Sequence, residues 1–225
     1  MNNRQGLSFS IFGFRVEIHF LFWLTALLLG ANIRPITLII PWIFVVLVSI
    51  LLHELAHAAL LRMFGTRSFI RLYGMGGVTQ PTFSARPIRR WQEILVSMAG
   101  PLAGLLFGGV IFVLSILLEG FDLSNSAFVT WLLTTLIMVN VGWSLFNLLP
   151  ILPMDGGNIF SLIFQMVFRT SSDLVPRIFS CILCAGALLL SVSTGEIWLA
   201  LLSAWFLMNN IGALINRSSP HESAI

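Results

Sequence analysis

Residues 36–63 read ITLIIPWIFVVLVSILLHELAHAALLRM. Positions 36–52 carry no ionisable side chain, and the run then admits His53, Glu54 and His57 before closing on Arg62. At about 1.5 Å of rise per residue a helix of this length crosses the ~30 Å hydrocarbon core of a bilayer. The stretch therefore predicts a transmembrane helix with ionisable groups near one end. An ionisable group at bilayer depth costs roughly 2.5–3.5 kcal/mol on insertion scales, so three together need a compensating interaction. A metal ion supplies one. Residues i and i+4 stack on one helical face, which lets the imidazoles of His53 and His57 share one ion, while Glu54 places a carboxylate beside it. This is the H-E-x-x-H pattern, in which two histidines hold zinc and the glutamate acts as general base. His57 precedes Arg62 by five residues, which sets the site roughly 7–8 Å beneath the end of the span, within reach of water.

The rest of the chain agrees with a membrane setting. Hydrophobic residues make up 57% of the 225 positions, charged residues only 9%, and the mean hydropathy is +0.96. These values exclude an ordinary soluble domain. The net charge is +3, all twelve basic residues are arginine, and they form no extended basic face, so nucleic acid is not an expected partner. The N-terminal stretch lacks a short apolar core with a small-residue cleavage site, and no removable signal peptide is expected.

Apolar runs predict six transmembrane helices at about 17–34, 36–63, 94–118, 128–149, 175–194 and 197–215, with a shorter re-entrant or interfacial helix at about 157–169. The expected fold class is an all-α integral membrane protein, a single domain over 1–225. Between spans two and three, GTRSFIRLYGMGGVTQPTFSARPIRR (65–90) has the Gly/Thr content and short apolar runs of a β-hairpin or a re-entrant loop. Arg4, Arg15, Arg62, Arg67, Arg71, Arg86, Arg89, Arg90, Arg169, Arg177 and Arg217 fall on one set of loops and termini. The other set holds Arg34 with Glu119, Asp122 and Glu196. The positive-inside rule then places both termini in the cytoplasm. Cys181 and Cys184 read as small buried hydrophobes of span five.

A catalytic zinc takes three protein ligands and keeps one open position. Glu17, Glu93, Asp155 and Asp173 are the acidic candidates on the cytoplasmic side, and Asp155 has the most unusual surroundings, NLLPILPMDGGNIF (147–160). Pro150 and Pro153 end the preceding helix, while Gly156 and Gly157 remove side-chain bulk and permit positive φ. Asp155 reads either as a ligand aimed into the bundle or as the N-cap of a helix over 156–168. His19 reads as a helix histidine at an interface or as a group near the metal, His221 as solvated, and Glu93 as a helix-start carboxylate.

His53-Glu54-Leu55-Ala56-His57 in an apolar span, followed by Asn147-Leu148-Leu149-Pro150-Ile151-Leu152-Pro153-Met154-Asp155-Gly156-Gly157, resembles the site-2 protease family of intramembrane zinc metalloproteases, peptidase family M50. EILVSMAGPLAG (93–104) is similar to the family's third span, with Gly104 where an asparagine is common; FRVEIHF and GMGGVTQP also look like family segments. The likeness covers most of residues 10–160, and the last two spans carry no such signature.

The resemblance implies one Zn2+ per chain held by His53, His57 and Asp155, with Glu54 as base and proton shuttle. It implies Asn147 near the substrate carbonyl, and a glycine-rich loop around Gly74, Gly76 and Gly77 that pairs with an unwound substrate strand. It further implies a compact form without PDZ or CBS domain, in a prokaryotic cell membrane. The substrate would be a single-span membrane-tethered protein, and a separate membrane regulator is a further expected partner. Two other readings are a zinc-binding membrane transporter and an inactive protease-like scaffold.

Overall fold

The computed structural model describes residues 6–84, 87–118 and 126–218, so Arg4, Arg86, Glu119, Asp122 and His221 lie outside the described residues. Chain contacts divide the protein into two compact units, 1–146 and 147–225.

In the first unit, strands β1 (Gly6–Ile11) and β2 (Phe14–His19) lead into a ten-residue helix α1 (Phe20–Leu29). A 3-10 turn, Ile36–Leu38, opens α2 (Ile39–Met63), and β3 (Thr66–Tyr73) and β4 (Gly76–Ser84) follow. Helices α3 (Arg90–Leu118) and α4 (Ala127–Asn147) come next, with Asn147 at the boundary between the units. The second unit holds α5 (Asp155–Val167), α6 (Leu174–Thr194) and α7 (Ile197–Ser218).

Five helices are long and apolar enough to cross a membrane: Ile36–Met63, Arg90–Leu118, Ala127–Asn147, Leu174–Thr194 and Ile197–Asn216. They match five of the six expected runs to within a few residues. The first run differs. Where a helix is expected over 17–34, residues 14–19 are a strand and the helix ends at Leu29. The alternation Phe14, Val16, Ile18 explains the strand, since all three point to one face and are buried there. His19 caps α1, its Nδ1 accepting from the Leu21 amide at 3.3 Å.

The all-α expectation is corrected in the same region. The strands form one four-stranded sheet in the order β1-β2-β3-β4, with β1-β2 and β3-β4 antiparallel and β2-β3 parallel. Its inner face, through Phe14, Val16, Ile18, Ile70 and Leu72, packs with Val46, Ile50 and Ala58 of α2 into the core of this unit. Sheet and helix thus lie side by side. α1 returns along α2, and Trp42 Nε1 donates to the Ala26 carbonyl at 2.9 Å. Gly30 lies so close to Trp42 that a Cβ there would stand 2.6 Å from the indole.

Candidate metal centre

His53, Glu54 and His57 are all buried on α2, at 3%, 5% and 6% exposure. The two imidazole centroids are 4.8 Å apart and the rings nearly perpendicular at 78°. The i, i+4 spacing alone produces that pairing. His57 Nδ1 is 2.6 Å from the Val96 carbonyl oxygen of α3. A carbonyl only accepts, so the proton sits on Nδ1 and Nε2 carries the lone pair that a metal needs.

α3 approaches closely enough to matter. A Cβ on Gly100 would stand 2.5 Å from His53 Nε2 and inside the contact distance of His57 Nε2. Glycine is required there, and it faces the Nε2 atoms of both imidazoles. Space bounded by two imidazole nitrogens is what a borderline metal such as zinc fits.

Glu54 is held from β4. Thr79 Oγ1 lies 2.7 Å from Glu54 Oε2 and 3.0 Å from the Glu54 carbonyl oxygen, donating toward both. Gly77 faces the same carboxylate, and a Cβ there would meet Glu54 Cγ at 2.5 Å. Gly76, at φ +120°, rests against Trp143 of α4, where a Cβ would be 2.8 Å from the indole ring. Two of the three loop glycines singled out in the sequence, Gly77 and Gly76, therefore seat the carboxylate and the β3-β4 turn. Burial first, and the Glu54 charge second, hold the Tyr73 phenol above its ordinary value of 10.0.

A polar layer lies one turn before His53. Asn140 Nδ2 donates to Ser49 Oγ at 2.9 Å and to the Leu136 carbonyl at 2.8 Å. Gly104 packs on Ser144, whose Oγ a Cβ would overlap, and Gly108 packs on Val141. These small residues draw α3 against α4.

In the second unit, Asp155 is the first residue of α5, and Met154 rather than Asp155 occupies the N-cap position. Gly156 and Gly157 correct a sequence expectation. Positive φ occurs elsewhere among the described glycines, at Gly13, Gly65, Gly76 and Gly195. What fixes glycine here is close approach: a Cβ on Gly156 would overlap the Leu148 carbonyl, and one on Gly157 would meet the Ile151 carbonyl oxygen and the Leu152 nitrogen at 2.5 Å. The Leu152 peptide is clamped from two helices. Its N–H donates to Ser180 Oγ of α6 at 2.9 Å, and its carbonyl accepts from Asn210 Nδ2 of α7 at 2.7 Å.

Two of the other carboxylates are engaged by arginines: Asp173 with Arg177 at 2.6 Å, and Glu17 with Arg71 at 3.6 Å. Glu93 falls in the first turn of α3. Of the residues expected to bind metal, His53 and His57 offer imidazole nitrogens and Asp155 a carboxylate, the donor types that zinc takes. Sequence reasoning missed Thr79, Gly100, Ser180 and Asn210. Of these only Gly100 left a trace, as the small residue before Pro101 in an apolar helix.

An apolar helix that buries an H-E-x-x-H pair against a glycine of its neighbour defines a class of membrane-embedded helical protein built around a zinc centre. The chain belongs to peptidase family M50, whose family model matches residues 41–131 and 121–192. A zinc metalloprotease of Methanocaldococcus jannaschii is 32% identical over 154 residues, covering 67% of this chain and 43% of that protein. Rip3 of Mycobacterium tuberculosis is 30% identical over 225 residues, covering 88% and 55%. The chain spans about half the length of these curated relatives. Among solved structures, a site-2 protease from Methanocaldococcus jannaschii superposes with a TM-score of 0.65 at 25% identity, over 98% of each chain. Five apolar helices and this family make the chain a multi-pass membrane protein, and zinc is the cofactor that family and donor set imply.

Proposed function

We propose that this chain is an intramembrane zinc metalloprotease that hydrolyses peptide bonds within or near the transmembrane segments of membrane-tethered proteins. The observation that carries the reading is the pair of buried imidazoles on α2, facing a glycine of α3, with the Glu54 carboxylate held beside them by Thr79.

In this reading His53 and His57 are two zinc ligands and Asp155 is the third. Zinc held there would supply Lewis acidity toward a carbonyl and toward water. Glu54 is the base that takes a proton from the attacking water and passes it to the departing amine. Thr79 keeps the carboxylate oriented between the two transfers. Asn147 donates to the oxygen of the scissile carbonyl.

A substrate helix keeps its carbonyls in backbone hydrogen bonds and must unwind before attack. β4 is at the end of the strand order, with no strand partner on its outer edge among the described residues, and Gly76 and Gly77 begin it. An unwound substrate segment adds to this edge as a further strand. Single-span proteins suit such a site, and a separate membrane regulator is the expected control on access.

The chain is read as one functional domain with six crossings, the first made by the short α1 and the residues after it. Parallel pairing of β2 with β3, which follows the carboxyl end of α2, supports this, because the chain between β2 and the start of α2 must then return along that helix. The arginines after α2 support a cytoplasmic position for that end and for both termini, and the organisms of the relatives support a prokaryotic membrane.

The test is to purify wild type, Glu54→Gln and Asp155→Asn and assay each for bound zinc and for cleavage of a panel of single-span proteins. Wild type and Glu54→Gln should hold about one zinc per chain, with only wild type cutting. Asp155→Asn should lose most of the metal. Equal cutting by wild type and Glu54→Gln would overturn the assignment of the base.

A further inference from the structure

The outer face of the sheet carries charge alongside a membrane-spanning helix. β3 starts three residues after α2 ends and runs back along it, and its inner face is spent on the α2 core. Strand alternation sends Arg67, Phe69 and Arg71 to the opposite face. The parallel register aligns Arg15 with Phe69 and Glu17 with Arg71, so β2 adds two more charges there. Arg62, in the last turn of α2, joins them at the margin. Its Nη1 donates to the Phe12 carbonyl at 2.8 Å and its guanidinium stacks on the Phe14 ring at 3.9 Å.

Arg15, Arg62, Arg67, Arg71 and Glu17 line a cavity of about 720 Å³. Four cations face one carboxylate, which among the described residues pairs with Arg71 at 3.6 Å. Arg15 and Arg67 are exposed and in no ion pair among the described residues. A surplus of positive charge at the end of a membrane-spanning helix attracts anionic groups at the membrane surface. A collar of apolar side chains marks where that anion comes from: Phe12 is 80% exposed, Met63 78% and Phe83, paired with Arg67 across β3-β4, 61%. Apolar groups around a basic hollow suit a molecule with a charged head and an oily body, whereas a soluble anion would have no use for them.

We propose that this hollow, formed by Arg15, Arg67 and Arg71 on the outer face of the sheet with Arg62 at its margin, binds the phosphate headgroup of an anionic phospholipid from the leaflet at the carboxyl end of α2. Arg62 and Arg71 are pre-oriented by Phe12, Phe14 and Glu17. Arg15 and Arg67 close on the phosphate, and the acyl chains lie over Phe12, Met63 and Phe83. The site lies on the face of the sheet opposite Thr79 and Glu54, and its occupancy is independent of zinc.

The test uses the full chain in a neutral detergent, with thermal stability followed during titration by dioctanoyl phosphatidylglycerol, dioctanoyl phosphatidylcholine or glycerol 3-phosphate. Phosphatidylglycerol should stabilise saturably. Each arginine near a membrane surface contributes about a fivefold factor, so Arg15→Gln/Arg67→Gln should weaken that binding about 25-fold. Arg34→Gln, a control at the other end of α2, should leave it unchanged. Arg15→Lys/Arg67→Lys, which keeps the charge, should retain most of the affinity and guards against a folding defect. Equal saturation by phosphatidylcholine, equal saturation by glycerol 3-phosphate, or no weakening in the double glutamine variant would each overturn the proposal.

Discussion

Gly100 leaves no room for a side chain beside the imidazoles. A methyl group there would push both rings, and overpacking of this kind costs about 1–3 kcal/mol. Gly100→Ala should therefore lower zinc affinity roughly ten- to a hundredfold, read by titration with a competing chelator, while helical content by circular dichroism stays at the wild-type value. Thr79 acts on the neighbouring group. Removing its hydroxyl while keeping its shape, Thr79→Val, deletes a hydrogen bond to a charged acceptor, worth about 1.5–3 kcal/mol. The expected result is a kcat lowered about ten- to a hundredfold, with KM within twofold and zinc content unchanged. A parallel loss of zinc would mean that Thr79 supports the fold rather than the base.

At the scale of elements, the last two helices gain a purpose that their sequence does not advertise. Ser180 and Asn210 look like isolated polar residues in apolar runs, and nothing in their spacing links them to a loop that starts near Asn147. They meet at the Leu152 peptide. Asn210→Leu strands the Leu152 carbonyl at a buried site, which costs about 1–3 kcal/mol. It should lower the melting temperature by roughly 3–8 °C and, if Asp155 is a ligand, the zinc content with it. Unchanged zinc in this variant would separate the loop's stability from metal binding. The long helices were legible because an apolar run above twenty residues has few other uses. The strand at 14–19 was not, because its alternation lies inside a longer apolar run that reads equally well as helix. The histidine pair could be read from spacing alone, whereas Thr79 and Gly100 depend on which strand and which helix pack against α2, and local sequence does not encode that.

For the whole molecule, the metal and the fold answer to different forces. Helices of this length keep their backbone hydrogen bonds within themselves and bury apolar surface in lipid, so neither depends on an ion. Stripping the protein with 1,10-phenanthroline should abolish proteolysis, with helical content by circular dichroism within a few percent of the starting value, and added zinc should restore cutting. Loss of helix on chelation would mark the ion as part of the scaffold. The clamp on the Leu152 peptide has one more consequence. It occupies one serine of α6 and one asparagine of α7, whereas Leu189, Val192, Leu201 and Met208 of those helices face outward. Those outward positions can drift to suit longer or shorter acyl chains, and the two helices can be refitted to membranes of different thickness, so long as that single pair of polar anchors stays in place.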